Sequence, residues 1–462
     1  MVVGTLPAGP FGSLRLAGHD VPFYVIPFDK DGALQAPATA ARLVSDVAAS
    51  VGGGNAAPVF TDVIVVVHGW NTDFKGTLTL AHDLISRLDA TIAGHGTPRA
   101  DFRPLVVAIS WPSIVLSSSN APAMAATPMD DVDLDGLSVL AQEVVAPEHR
   151  GEFYELAQAS DLDRDKALRL AELLAPLYVG PDNDLTGSEG SEPGGTVAAW
   201  IEAQARLAEA EGPVVVSGPS GPRLSGTGGA SVAAGPQAGP QAAGLLGILD
   251  PRNVVRLATV LVMKDRAGVV GFRGVGPLVT RILGVRADVR VHLVGHSYGC
   301  KALLSALSTG LPRRARSLLL LQPALSFLAL ADDVPKLGRS GGYAAAKLST
   351  ELPIIATWSR KDVPLHTLFA LAVRRREDLG EQNIGAAGRE NPPSLFAAMG
   401  GWGPQAEPDV TDLDILRPAD GGRYPLAAGA RVLAVNGTKA ISGHGDVTND
   451  ATAWALYSLI AS

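Results

Sequence analysis

Three short apolar runs, at residues 63–67, 105–109 and 291–294, constrain this chain more than any other feature. Two of them, VIVVV and LVVAI, contain no polar residue, and the third, VHLV, contains one histidine. Runs that are continuously apolar rather than alternating belong to strands covered on both faces, the condition of the central strands of a parallel sheet. Each run ends in a cluster of small or polar residues: His68-Gly69-Trp70, Ser110-Trp111-Pro112 and Gly295-His296-Ser297. Open parallel sheets bind ligands at the carboxyl ends of their strands, so the three clusters predict one shared site. Further strands are expected at 317–321, 354–357 and 431–435, with an extra strand at 21–27 and helices at 77–93, 301–308 and 450–460. That alternation is the signature of the α/β class.

The regular pattern is interrupted between 113 and about 250. Leu, Ala, Glu and Arg at helical spacing predict helices at 152–177 and 196–211. Residues 212–244 are rich in Gly, Pro and Ser and read as a flexible loop, because such a composition cannot build a core. The expected organisation is therefore an N-terminal extension over 1–60, a core over 61–112 and 251–462, and a mostly helical insertion over 113–250. The insertion reads either as a lid over the site or as a plain decoration.

Composition narrows the function classes. The chain is 47% hydrophobic and 18% charged, which supports a substantial buried core. Its 38 basic and 46 acidic residues leave a net charge of −8 with no basic stripe, which argues against nucleic acid as a partner. The single cysteine, Cys300, excludes an internal disulfide. The N-terminus lacks a basic segment followed by an apolar one, so no ordinary secretory signal is read there. The most apolar stretch, 318–330, is interrupted by Gln322 and Pro323 and is too short to span a bilayer. The expectation is a cytoplasmic protein with no transmembrane segment, with export by a signal-less route left open. Asp131 opens a loop with Ca2+-binding spacing, but Gln142 stands where a bidentate glutamate is needed. No metal or other cofactor is expected.

The motif that carries chemistry is Gly295-His296-Ser297-Tyr298-Gly299, a G-x-S-x-G sequence between an expected strand and an expected helix. That context is what the motif requires. The serine sits on a sharp strand-to-helix turn, the glycines leave room around it, and the N–H groups that follow can face a developing oxyanion. The turn at His68-Gly69-Trp70 supplies a second donor of the same kind. The oxyanion hole is thus assigned to the backbone N–H groups of Trp70 and Tyr298.

With Ser110-Trp111-Pro112-Ser113 between them, these motifs resemble those of the α/β-hydrolase superfamily, in its bacterial esterase- and lipase-like subset with HGWN, SWPS and GHSxG motifs. The resemblance covers about 61–113 and 250–460. It implies an α/β-hydrolase fold and a Ser–acid–His order along the chain, so both partners of Ser297 should follow it. Asp362, in Ser359-Arg360-Lys361-Asp362-Val363-Pro364, resembles the family's acid loop; Asp332 and Asp333 compete with it. His444 lies between the last expected strand and the last expected helix, where the family places its base, with a glycine on each side to let the loop reach the serine. Its rival is His366. The interval from Ser297 to Asp362 is shorter than usual for the family, and that from Asp362 to His444 longer.

The expected activity is hydrolysis of a small-molecule or lipid ester through an acyl-enzyme, without a cofactor. His68, Trp111, His296 and Trp358 are candidates to line the pocket, and Cys300 reads as packed. The alternative is a catalytically inactive module of the same fold that binds a protein partner.

Overall fold

The computed structural model describes residues 6–49, 59–113, 134–174 (apart from 160, 161 and 163), 176, and 262–462 (apart from 335–338, 369–396, 406, 407 and 428). The expected helix at 196–211, the Gly/Pro-rich segment at 212–244 and the opening of the Asp131 loop lie outside the described residues.

Among the described residues one mixed sheet of nine strands organises the chain, in the order β1-β2-β4-β3-β5-β6-β7-β9-β8. The strands are β1 (Gly12–Leu16), β2 (His19–Pro27), β3 (Asp62–Val67), β4 (Pro104–Ser110), β5 (Arg290–His296), β6 (Ser317–Leu321), β7 (Ile354–Trp358), β8 (Val410–Asp414) and β9 (Val432–Asn436). Only β1 runs antiparallel to its neighbour. Eight parallel strands therefore bring their carboxyl ends to the same edge of the sheet.

The three apolar runs lie side by side as β4, β3 and β5, with Val63 opposite both Leu105 and Val291. They are covered on both faces, as continuous hydrophobicity requires. Val63, Val65 and Val67 point into one core cluster and Ile64 and Val66 into the other. Helices α1 (Pro37–Ala48), α6 (Gly276–Val285) and α7 (Tyr298–Leu307) cover the first face, and α2 (Phe74–His95) and α9 (Asp450–Ala461) the second. Three more helices, α3 (Leu134–Glu143), α4 (Arg150–Ala157) and α5 (Arg164–Leu173), lie in the region expected to be inserted, and α8 (Met399–Trp402) is a single turn.

The differences from expectation have physical causes. The described residues within 152–177 include two helices rather than one, with α4 ending at Ala157 and α5 running from Arg164 to Leu173. The extra strand expected at 21–27 is present within β2, and the N-terminal region adds β1, paired antiparallel with it, and helix α1. Strands β1 and β8 are five-residue edge strands, with sequences GSLRL and VTDLD and half-exposed faces, and such segments carry no apolar run to betray them. One helix among the described residues, Val262–Val285, is long and apolar enough to cross a membrane by length and composition. Met263, Ala267, Val270 and Val275 are buried in the first core cluster, so this helix serves as a layer of the fold.

Candidate active site

Five strand ends set the site. Ser297 follows β5, and the neighbouring strands β3 and β6 are followed directly by His68 and Gln322. Asp362 lies in the loop after β7, and His444 in the loop between β9 and α9. Because all these strands are parallel, residues far apart in sequence arrive at one place.

Ser297 adopts φ 54°, ψ −123°, a backbone conformation that side-chain-bearing residues rarely take. Strain of this kind persists only where the surroundings hold it. Here Ser297 N–H donates to the carbonyl of Leu321 on β6 at 3.0 Å, and the Ser297 carbonyl accepts from Cys300 and Ala324 at 3.0 and 3.3 Å. Close approach explains the glycine after the serine: a Cβ at Gly299 would collide with the carbonyl oxygens of Val67 and His68. A Cβ at Gly69 would lie 2.6 Å from Ser297 Cβ and 3.2 Å from its Oγ, so the turn after β3 rests directly on the serine.

His444 Nε2 lies 2.9 Å from Ser297 Oγ, and its Nδ1 lies 2.8 Å from Asp362 Oδ2. An ionised carboxylate can only accept, so Nδ1 carries the proton and Nε2 presents its lone pair to the serine hydroxyl. Asp362 is fully buried and Ser297 is 3% exposed. Asp362 also accepts the Leu365 N–H at Oδ1 (3.1 Å) and the Gln322 side-chain N–H at Oδ2 (2.9 Å). The histidine loop is stapled locally. Asp446 accepts both the N–H and the hydroxyl of Ser442 at 2.8 Å, Asn449 donates to Asp446, and Ser359 donates to the Ile441 carbonyl at 2.9 Å. Burial raises the Asp446 carboxyl, but these hydrogen bonds outweigh it and hold the group below its ordinary range.

The rivals lie elsewhere. Asp332 pairs with buried Lys347 at 2.8 Å, and Asp333 is exposed in the same loop. His366 sits in a π-helical turn, donates from Nδ1 to the Gly401 carbonyl at 3.0 Å and stacks on Trp402. The glycines beside His444 do not serve the expected purpose. Gly443 and Gly445 have open space where a Cβ would be and no left-handed φ, so the loop's path does not depend on them.

The residues considered for the pocket fall into two groups. His68 and Trp111 are buried, at 1% and 3% exposure, and stack with ring centroids 5.4 Å apart. Trp111 N–H donates to His68 Nε2 at 3.2 Å and its indole N–H to the His68 carbonyl at 3.0 Å, leaving Nδ1–H of His68 for the Gly69 carbonyl at 2.8 Å. Burial pushes His68 down to about 4, so it is neutral, as this bonding requires. Together they brace the turn that touches Ser297 and that contains Trp70. Ser113 fastens the same turn by accepting from Asn71 and Thr72. His296 is partly buried and donates from Nε2 to the backbone carbonyl of His444 at 2.9 Å. Burial, then the neighbouring His444, pushes it down to about 3. Trp358 ends β7, and its indole N–H is buried without a partner, as is that of Trp70. Tyr298 is the first residue of α7, where N–H groups emerge at the helix N-terminus. Cys300 is buried, with its thiol directed to the Gly295 carbonyl at 3.1 Å, and burial raises it well above its ordinary value.

Gln322 escaped the sequence reading except as an interruption of an apolar run. Its only signal was a polar residue at the carboxyl end of a strand, shared with many loop residues. Comparison with protein-family models, curated proteins and solved structures finds no match to this chain.

Proposed function

We propose that this chain is a serine hydrolase of the α/β-hydrolase type that cleaves a small-molecule or lipid carboxylic ester. The observation that carries the reading is the continuous hydrogen-bonded line Ser297–His444–Asp362, with 2.9 and 2.8 Å contacts, ending on a serine in a strained strand-to-helix turn. Residue types, tautomer and backbone strain all suit nucleophilic acyl transfer.

In this mechanism His444 Nε2 accepts the Ser297 hydroxyl proton as Oγ attacks the ester carbonyl carbon. The carbonyl π electrons move to oxygen, and the oxyanion is held by the backbone N–H groups of Trp70 and Tyr298. The intermediate collapses as His444 gives its proton to the departing alkoxide, leaving an acyl-Ser297. Water then passes a proton to His444 and attacks the acyl carbon. The second collapse returns the proton to Ser297 and releases the acid. Asp362 holds the imidazole in the required tautomer and stabilises it while it is charged. No step needs a cofactor. The alternative of a non-catalytic binding module would be favoured by a histidine out of reach of the serine, and His444 is within reach.

The test is steady-state hydrolysis of a panel of p-nitrophenyl esters of different acyl length. Wild type is expected to turn over at least one ester, and Ser297→Ala and His444→Ala to lose about a thousandfold or more in kcat. Asp362→Asn should fall by a similar order, because the amide can donate to Nδ1 and so favours the wrong tautomer. Turnover by Ser297→Ala equal to wild type would contradict the reading.

A further inference from the structure

We infer that Gln322 is a positioning residue that fixes the carboxylate of Asp362 against His444. The inference rests on the reading of Ser297, His444 and Asp362 as a hydrolytic triad. Gln322 follows β6 directly, is fully buried, and takes φ 47°, one of four positive-φ residues other than glycine among those described. A long polar side chain in a strained backbone and out of water needs a compensating set of hydrogen bonds, and Gln322 has one. Its Nε2 donates to Asp362 Oδ2 at 2.9 Å and to the Gly400 carbonyl at 3.1 Å. Its Oε1 accepts from the Thr357 hydroxyl at 3.1 Å, and its backbone N–H donates to the same Thr357 Oγ1 at 3.0 Å. Both Nε2 partners can only accept, so the orientation of the amide is determined.

The oxygen that Gln322 contacts is the one that receives His444 Nδ1–H, at 2.8 Å. A carboxylate held at one oxygen by the Leu365 N–H and at the other by Gln322 cannot rotate without breaking a buried hydrogen bond. The same short segment also holds the nucleophile, since the Leu321 carbonyl accepts Ser297 N–H and the Ala324 N–H donates to the Ser297 carbonyl. Residues 321–324 thus tie the serine's backbone and the acid's carboxylate to a single stretch of chain, with Gln322 as the only side chain of that stretch that contacts Asp362 among the bonds described. Thr357 on β7 orients the amide, and its described hydrogen bonds go to Gln322 and the Leu320 carbonyl.

The experiment compares wild type, Gln322→Leu, Gln322→Glu and Ser297→Ala by the rate of phosphonylation with a fluorophosphonate probe, and by kcat and KM for the best ester across pH. Gln322→Leu is expected to phosphonylate about tenfold to a hundredfold more slowly, the range typical of losing a supporting hydrogen-bond partner, with the loss in kcat and KM nearly unchanged. Gln322→Glu keeps the shape and guards against a Leu variant that does not fold. A protonated glutamic acid can donate to Asp362 Oδ2, whereas an ionised one repels it. The ratio of its kcat to that of wild type should therefore fall as pH rises, a dependence that a purely structural role would not produce. A folded Gln322→Leu reacting at the wild-type rate, or a Gln322→Glu ratio that is flat in pH, would overturn the inference and leave the triad reading standing. A wild type that is not labelled, or is labelled no faster than Ser297→Ala, would overturn the triad reading and this inference with it.

Discussion

Among the described residues, two sets of serine, histidine and aspartate are hydrogen-bonded in line, and they differ in the surroundings of the serine. Ser317 Oγ lies 2.8 Å from His292 Nδ1, and His292 Nε2 lies 3.0 Å from Asp62 Oδ1, distances as good as those at Ser297. All three are buried in regular strands, and Arg99 and Thr61 complete the set around Asp62. Burial raises the Asp62 carboxyl, but the bonds from His292 and Thr61 and the Arg99 charge outweigh it and hold it below the usual range. Ser317 lacks what marks Ser297: the positive φ, the helix N-terminus beside it and the glycine turn against its Oγ. Ser317→Ala should therefore leave fluorophosphonate labelling within about twofold of wild type while costing about 1–3 kcal/mol, because His292 loses a buried partner; urea unfolding measures the cost. That Ser297, Asp362 and His444 meet was legible in the sequence, from strand-ending motifs and from the chain order that the family resemblance implies. Gln322 was not, since a single polar residue after an apolar run says nothing of the carboxylate it will meet 40 positions later.

The loops behave as units. The turn after β3 is braced from behind by His68, Trp111 and Ser113, and a Cβ on Gly69 would push directly into Ser297. Gly69→Ala should cut the labelling rate by about a hundredfold or more, in line with a misplacement of the reacting groups by about 1 Å. The loop carrying His444 is different. Gly443→Ala and Gly445→Ala meet open space and should label within about twofold of wild type. Asn449 caps α9 by accepting from Ala451 and Thr452 and also reaches Asp446. Asn449→Ala should cost about 1 kcal/mol of stability and slow labelling several-fold, as thermal unfolding and probe kinetics would report. The glycines flanking His444 were over-read from sequence because flexibility was assumed where side-chain staples do the work. The edge strands β1 and β8 were missed because their half-exposed faces leave no periodic signal.

Across the whole molecule, the sheet divides the core into two clusters, and helices α3–α5 join the first of them through Leu137, Leu140, Phe153 and Leu170. Arg266 ties this layer to the sheet edge, donating to the Pro112 carbonyl at 2.8 Å and to Glu143 at 2.6 Å. The described part of the region between β4 and β5 is thus packed into the common core, which its helical pattern alone could not reveal. Buried neutral histidines give the fold an acid-sensitive component. The folded pKa of His68, about 4, lies below its ordinary 6.5, so the unfolded chain binds more protons between these values. Stability from this group is fully present above pH 6.5 and is lost as pH falls towards 4, by on the order of 3 kcal/mol. Urea midpoints across that window should fall more steeply for wild type than for His68→Asn. Whether Ser297 is the activated nucleophile we propose is read by intact-mass analysis and peptide mapping after treatment with a fluorophosphonate. One stoichiometric adduct is expected, located on Ser297 and formed orders of magnitude more slowly in His444→Ala. A folded protein that gains no adduct, or carries it on another residue, would contradict the proposal.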